Sequence, residues 1–288
     1  MPNPSAGQSG RELPEITIRR AESVADYHAC QEVQRRAWGI SDESYVVPVA
    51  TMVGANLHGG LVLGAFLPDH RAAAMSFGFL GRIRDRLCLY SQLTGVDPDY
   101  QGRGLGLALK LKQREECRKS GITLIAWAFD PLQAGNARFN LSILGARVRS
   151  FVDNMYGPRT DRLNYGVPTD RLIAEWEIEG DDQPAGLEPL TARDWPRLIE
   201  TVEDPRGTFT PHVVHEPPAS GGLLLEIPPA ITSLRVLDSR RAELWQAAVR
   251  EAFHRSLGRG FEAVGFAKAG ELEPGRCFYL LQATGRGA

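Results

Sequence analysis

Length, composition and charge place the chain among soluble globular proteins. Its 288 residues are enough for two domains of ordinary size, and its hydrophobic and charged fractions, 43% and 24%, are near the average. The formal net charge of −2 leaves no basic excess to neutralise phosphates, which argues against a general polyanion binder but leaves local basic patches open, and no nucleic-acid partner is expected. Because no apolar run approaches the roughly 20 residues of a membrane span, we expect no membrane partner and a cytoplasmic location.

Residues 1–14 are polar and rich in turn-forming residues, and they lack the apolar core of a signal peptide. We therefore expect a disordered tail over 1–14. The four cysteines form no CxxC pair and the six histidines show no ligand spacing. This pattern predicts buried free thiols and no metal site.

Up to residue 96 the apolar pattern predicts a strand, two helices and an antiparallel meander. The first strand covers 16–18, and a helix begins after Ser23, a candidate N-cap, and ends at Gly39. A second helix is expected over 49–57. Three strands follow at 61–66, 72–80 and 87–96, and their short connections are typical of antiparallel neighbours.

After residue 97 helices and strands alternate. A glycine-rich loop leads into a helix over 105–120, and the almost unbroken apolar run 122–129 is typical of a strand buried on both faces. A helix over 135–144 ends at Gly145, and strands follow at 146–156 and 172–178. The order of elements predicts a mixed α+β fold.

The acidic segment 179–189 contains glycine and proline and is the candidate domain boundary. It separates a first domain over 15–180 from a smaller C-terminal α+β domain over 181–288. In the second domain we expect a helix capped by Thr191, a strand, a long amphipathic helix and two more strands, at 191–203, 223–227, 238–257, 261–266 and 277–281.

The loop after the fourth predicted strand carries the most chemical information. Glycines let the main chain approach a ligand, and a helix that begins at once exposes unpaired N–H groups that suit a pyrophosphate. A P-loop is excluded because no Lys-Ser/Thr pair follows the glycines. A dinucleotide fingerprint is excluded because Leu109 stands where its third glycine belongs. A tight turn without any ligand stays open as an alternative.

The segment VDPDYQGRGLGLAL, residues 96–109, resembles the acyl-CoA-binding segment of the GNAT superfamily of N-acyltransferases, whose pattern is [Q/R]xxGx[G/A]. The resemblance covers residues 16–178. It implies a GNAT-like central mixed sheet whose fourth and fifth strands, 87–96 and 122–129, splay apart. It implies acetyl-CoA or another acyl-CoA as co-substrate, with strand residues that pair with the pantetheine arm and loop residues that hold the pyrophosphate: Thr94, Val96, Gln101, Gly102, Arg103, Gly104, Leu105 and Gly106.

The resemblance also implies transfer of an acetyl or succinyl group to the amine of a small molecule, by direct attack in a ternary complex. Amino acids are candidate acceptors. Many members carry a tyrosine about four residues before a glycine, which protonates the leaving thiolate, but Leu141 occupies that place here. Tyr156 is the substitute acid and Asp130 a candidate base, although a strand tyrosine and a turn aspartate are ordinary structural features too. Asn136 and Asn140 either contact the cofactor or cap and solvate a helix.

Three arginines, Arg82, Arg84 and Arg86, crowd one predicted hairpin, which is either a solvated tip or a clamp for the carboxylate of an acceptor. The layout of the whole chain, with IPPAIT at 227–232, resembles the two-part GNAT proteins found beside N-acylamino acid racemases. A non-catalytic acyl-CoA-binding regulatory module and a protein lysine acyltransferase stay open as other functions. A homodimer is a candidate assembly because exposed sheet edges often pair.

Overall fold

The structure is a computed structural model, and it describes residues 15–157, 167–179 and 186–285. The predicted tail 1–14 and part of the predicted boundary, 180–185, lie outside the described residues. The helices are α1 (Val24–Trp38), α2 (Val49–Leu57), α3 (Leu105–Lys119), α4 (Ala134–Arg138), α5 (Ile231–Leu237) and α6 (Ser239–Gly258). The strands are β1 (Thr17–Arg20), β2 (Leu61–Phe66), β3 (Ala72–Ile83), β4 (Arg86–Val96), β5 (Leu124–Phe129), β6 (Arg147–Val152), β7 (Arg171–Glu177), β8 (Ile199–Glu203), β9 (Phe209–Val214), β10 (Gly222–Ile227), β11 (Phe261–Ala267) and β12 (Cys277–Ala283).

The chain forms two compact units. The first comprises Met1–Phe79 and Leu93–Glu115, and the second comprises Leu80–Gln92 and Glu116–Ala288. The division into domains over 15–180 and 181–288 stays a prediction.

In the first unit, β1, β2 and β3 are consecutive antiparallel neighbours, with Thr17 opposite Phe66 and Leu61 opposite Gly78. Helix α1 begins at a capping box, in which the Ser23 side chain accepts a hydrogen bond from the Asp26 N–H and Asp26 reaches back to the Ser23 N–H. Its apolar side chains pack with those of α2, β2 and β3 in a core that includes Tyr27, Cys30, Val33, Met52, Val62, Met75 and Phe77. This core supports the strand from which the glycine loop leaves.

In the second unit, β5 pairs in parallel with β4 at Leu89–Ile125 and Tyr90–Ala126. The other pairings are antiparallel: β5 with β7, β7 with β6, β6 with β11 through Ala263 and Val148, β11 with β12, and β12 with β10. One parallel pair among antiparallel ones confirms the predicted mixed α+β class. Strands β11, β12 and β10 thus continue the sheet of β5, β7 and β6, whereas β8 and β9 pair with each other in a separate two-stranded sheet. The predicted splay between the fourth and fifth strands stays a prediction, because the last four residues of β4, Leu93–Val96, belong to the first unit.

Helix α6 confirms the long amphipathic helix predicted over 238–257. It buries Trp245 and Phe253, and the Phe253 ring lies 5.7 Å from that of Phe151 on β6 and 5.1 Å from that of Tyr279 on β12. These aromatic contacts hold α6 on the strands of the second unit.

One predicted helix is wrong. Where the sequence predicted a helix over 191–203, the chain forms a 3₁₀ turn at Pro189–Ala192 and then strand β8. Pro196 lies inside the predicted helix, where it removes a backbone donor and disfavours the helical conformation of the preceding residue. The β-branched residues Ile199, Thr201 and Val202 then favour a strand. Helix α5 and strand β9 were not predicted at all.

All four cysteines are buried. In the part of the chain that the structure describes, no helix is long and apolar enough to span a membrane.

Candidate functional site

The exit of β4 is fixed by a cluster of charged side chains in the first unit. Asp97 caps a short 3₁₀ turn, Pro98–Tyr100, by accepting a hydrogen bond from the Asp99 N–H at 3.0 Å. Arg36 of α1 donates to both oxygens of Asp97, at 2.5 and 3.1 Å, and to Asp99 at 2.7 Å. This bidentate pair orients the chain as it enters the glycine loop.

The glycine loop needs glycine for its backbone and leaves open space around it. Gly102 and Gly104 have φ angles of 75° and 79°, in the left-handed region that side chains disfavour. Gly106 has no such angle, since it lies in the first turn of α3. A Cβ added at any of the three would meet no atom of the described residues within 4 Å. No contact among residues 15–157, 167–179 and 186–285 therefore explains the glycine at 106, and these residues leave the space beside it free for a ligand.

Helix α3 directs its N-terminus into this space. Its first hydrogen bond runs from the Ala108 N–H to the Gly104 carbonyl at 3.0 Å, so the N–H groups of Leu105, Gly106 and Leu107 precede the intrahelical ladder. Residues 101–104 are exposed. The Arg103 guanidinium lies 5.5 Å from the centre of the Tyr100 ring. Unpaired N–H groups, a helix N-terminus and an arginine together form a cationic surface.

The predicted pantetheine strand, the end of β4, precedes the loop directly. The buried Thr94 hydroxyl has no hydrogen-bond partner among the described residues. The Val96 carbonyl accepts a hydrogen bond from the Gln101 side chain at 3.3 Å. Between them Gly95 packs on Trp38, and a Cβ there would come within 2.7 Å of the indole ring. The loop and strand residues predicted to bind the cofactor are therefore contiguous within one unit.

The remaining predicted site residues lie in the second unit. Asp130 ends β5 in a turn, where its side chain accepts a hydrogen bond from the Leu132 N–H at 2.9 Å. The other oxygen of this carboxylate lies 3.5 Å from Arg235 of α5. No sequence pattern predicts this role for Arg235, which lies 105 residues away along the chain.

Tyr156 follows β6 and is 36% exposed. Its N–H donates to the Thr169 hydroxyl at 3.0 Å, and its ring lies 5.3 Å below the guanidinium of Arg171, the first residue of β7. Burial raises the pKa of Tyr90, and the neighbouring Tyr156 phenol raises it further. Tyr90 and Arg171 are thus the neighbours of the predicted acid. Strand periodicity places each on a sheet face but does not predict that they meet.

Tyr156 and Asp130 have different hydrogen-bond partners. Asn136 is exposed on the short helix α4. Asn140 is buried, and its side-chain oxygen accepts a hydrogen bond from the Trp127 indole at 3.2 Å. Leu141, where many GNAT members carry tyrosine, is fully buried in a π-helical turn, Phe139–Ile143, that continues α4.

The three hairpin arginines all have partners inside the second unit. Arg82 donates to the Asp85 carbonyl, Arg84 pairs with Glu175, and Arg86 forms a bidentate pair with Glu177 at 2.6 and 2.8 Å. The structure therefore favours a structural role for them over a clamp for an acceptor.

Comparisons with known proteins found similarity of structure only: no protein-family model matches the sequence, and no curated protein sequence does. The ribosomal-protein-S18-alanine N-acetyltransferase from Escherichia coli is 21% identical, with 60% of this chain and 100% of that chain covered and a TM-score of 0.45. A GNAT superfamily phosphinothricin acetyltransferase from Sinorhizobium meliloti, in complex with acetyl-CoA, is 16% identical, with 60% and 96% covered and a TM-score of 0.46. The PaiA N-acetyltransferase from Thermoplasma acidophilum, in complex with coenzyme A, is 20% identical, with 57% and 99% covered and a TM-score of 0.41. All three are acetyltransferases, and the similarity of this chain to them is one of fold.

Proposed function

We propose that this chain is an acyl-CoA-dependent N-acyltransferase of the GNAT type, which moves an acetyl or succinyl group to the amine of a small molecule. The observation that carries the proposal is the loop of residues 101–106. The loop contains two glycines with left-handed backbone angles, Gly102 and Gly104. It also contains Gly106, which no contact among the described residues requires to be glycine, and it ends at the N-terminus of α3. Amino acids are the first acceptors to test.

The loop fits a pyrophosphate by both shape and charge. The free space at Gly106 lets phosphate oxygens reach the N–H groups of the first helical turn without meeting a Cβ. Arg103 supplies the full positive charge that a helix N-terminus lacks. Thr94 and Val96, just before the loop, are the proposed partners of the pantetheine arm.

The proposed chemistry needs an acid, a base and good alignment. The acceptor nitrogen attacks the thioester carbonyl, so that an N–C bond forms and the C–S bond breaks. Asp130 would accept the proton that the amine loses, and Tyr156 would donate a proton to the leaving thiolate. Asn136 stays a proposed contact to the cofactor. Alignment of the two reactants would supply much of the rate.

Release of the thiol tests the proposal. Wild-type protein is incubated with acetyl-CoA or succinyl-CoA and a panel of amino acids, other small amines and lysine peptides. We expect acceptor-dependent thiol release with at least one small amine. The Gly104→Glu variant should lose both acyl-CoA binding and turnover, because it places a carboxylate and a disfavoured left-handed side chain in the loop. Unchanged affinity in that variant would overturn the assignment of the loop.

A non-catalytic acyl-CoA-binding module is the second candidate, and the burial of Leu141 at the usual position of the acid favours it. Tight binding of acyl-CoA with no turnover on any amine would decide for the module. Turnover on lysine peptides alone would decide for a protein acyltransferase.

A further inference from the structure

Helix α6 sends two polar side chains to one buried carboxylate at the start of β7. The Asp170 side chain is fully buried. It accepts hydrogen bonds from the Gln246 amide at 2.6 Å and from Arg250 at 2.9 and 2.8 Å. Burial alone would raise the pKa of Asp170, but the hydrogen bonds from Arg250, the Asn154 N–H and Gln246 outweigh it and keep the pKa below its usual value.

From Asp170 a chain of hydrogen bonds leads to Tyr156. Asp170 accepts from the Asn154 N–H at 3.0 Å, and the Asn154 side chain accepts from the Thr169 N–H and hydroxyl, both at 3.1 Å. The Thr169 hydroxyl in turn accepts from the Tyr156 N–H at 3.0 Å. The backbone of the proposed acid is thus connected to α6 through the side chains of Asp170, Asn154 and Thr169, with the Asn154 N–H as one of the links.

A second arm leads from the same helix to Asp130. The Gln246 amide oxygen lies 3.5 Å from the Arg235 guanidinium, which lies 3.5 Å from Asp130. The Gln246 amide therefore donates through its nitrogen to Asp170 and faces the Arg235 guanidinium with its oxygen. Nearby, the buried Tyr279 hydroxyl donates to the Pro131 carbonyl at 2.7 Å and fixes the turn that carries Asp130.

Packing does not require these polar groups. Helix α6 already has an apolar face, with Trp245, Val249 and Phe253 buried on the sheet. A buried ion pair is a weak source of stability compared with apolar residues of similar volume, because both charges lose their hydration. Buried polar groups whose hydrogen bonds are all formed nevertheless hold their partners in one geometry.

We propose that Gln246 and Arg250 are positioning residues, which hold Tyr156 and Asp130 in place through Asp170 and Arg235. The proposal rests on the proposed function and gives the C-terminal segment, which carries no catalytic motif, a part in that function. In this proposal both residues act through Asp170 and Arg235 and not by contact with the reactants.

The test compares Arg250→Met and Gln246→Met with Arg240→Ala, a control on the same helix whose side chain is 81% exposed. Amide hydrogen exchange needs no substrate: Asn154 and Tyr156 should exchange at least about tenfold faster in both variants and at the wild-type rate in the control. In turnover we expect kcat to fall about tenfold, while KM for the acyl-CoA stays within about twofold. If Arg250→Met does not fold, Arg250→Lys keeps the charge but loses the bidentate geometry, and it should give the same changes at smaller size.

A double-mutant cycle separates positioning from plain loss of stability. In a Tyr156→Phe background, Arg250→Met should lower kcat by less than about twofold, because a misplaced acid costs nothing once the acid is gone. A full tenfold loss in that background would overturn the proposal for Tyr156. Unchanged exchange at Asn154 and Tyr156 would overturn it altogether. Faster exchange in a protein that shows no turnover on any amine would instead overturn the proposed function and leave the anchoring of these residues intact.

Discussion

The two regions that carry the proposed chemistry are built in opposite ways. The glycine loop of the first unit is exposed, and its binding groups are main-chain N–H groups with open space around them. In the second unit, the carboxylates of Asp130 and Asp170, next to β5 and β7, are held by side chains from α5 and α6. A site built from main-chain N–H groups needs space that side chains would fill. A site built from side chains needs each hydrogen-bonding side chain to be present. Substitutions should therefore affect the glycine loop and the side-chain network of the second unit differently.

The largest effect is expected at Tyr156. If its phenol protonates the leaving thiolate, Tyr156→Phe should lower kcat by about a hundredfold or more, which is the usual contribution of a general acid. The phenyl ring keeps the place below Arg171, so stability should change little. Steady-state turnover measures the effect. A loss smaller than about threefold would remove Tyr156 from the mechanism.

Loss of Arg250 should destabilise the protein strongly. Arg250→Met leaves the buried carboxylate of Asp170 without its guanidinium, and breaking such a pair costs about 3 kcal/mol. Urea unfolding measures this change in free energy. Arg240→Ala, at an exposed site on the same helix, should cost less than about 0.5 kcal/mol. Equal stability of the two variants would show that the buried pair does not matter.

In the first unit, acid should remove the contribution of Asp26. Hydrogen bonds from Arg19 lower the pKa of this carboxyl despite its burial, with help from the N–H groups of Glu22 and Ser23. Because the native pKa lies below the unfolded value of about 3.9, the contribution is present above that pH and is lost as the pH falls toward the native pKa. The difference in unfolding free energy between wild type and Asp26→Asn, about 1 kcal/mol or more for a cap at pH 6, should shrink below about pH 4. A difference that stays constant down to pH 2 would contradict the ion pair.

Arg103 should give the smallest effect. Its side chain is exposed, and an exposed charge contributes only about 0.2–1 kcal/mol, so Arg103→Gln should weaken acetyl-CoA binding by about two- to fivefold. The loss should be smaller at 0.5 M salt, where the charge is screened. Titration calorimetry at two salt concentrations measures both. A loss of more than about a hundredfold would mean that side chains, not the main chain, dominate the loop.

The same contrast explains what could be predicted from the sequence. The glycine loop could be predicted because its residues are contiguous and because glycine spacing reflects backbone geometry, as the φ angles of Gly102 and Gly104 show. Periodicity likewise predicted most elements, including α2 with the observed bounds, Val49–Leu57. The Asp170–Arg250 pair joins residues 80 apart, and no local pattern brings them together.

Sequence rules for single elements also failed where two of them predicted different structures for the same segment. The segment 191–203 has an N-cap residue and enough apolar positions for a helix, but Pro196 and the following β-branched residues decide for a turn and a strand. Helix α5 is only seven residues long, too short for a clear periodic signal. It nevertheless supplies Arg235, the partner of Asp130.

The most direct test of the account compares Gly106→Ala with Gly54→Ala by calorimetric titration of acetyl-CoA. Both glycines lie in helices of the first unit, and an added methyl group meets no atom within 4 Å at either site in the part of the chain that the structure describes. Alanine favours a helix by about 0.5–1 kcal/mol over glycine, so neither variant should be less stable than wild type. We predict that Gly106→Ala binds acetyl-CoA at least about tenfold more weakly, a loss of about 1.4 kcal/mol, while Gly54→Ala binds like wild type. Equal affinity of the two variants would contradict a pyrophosphate site at the start of α3.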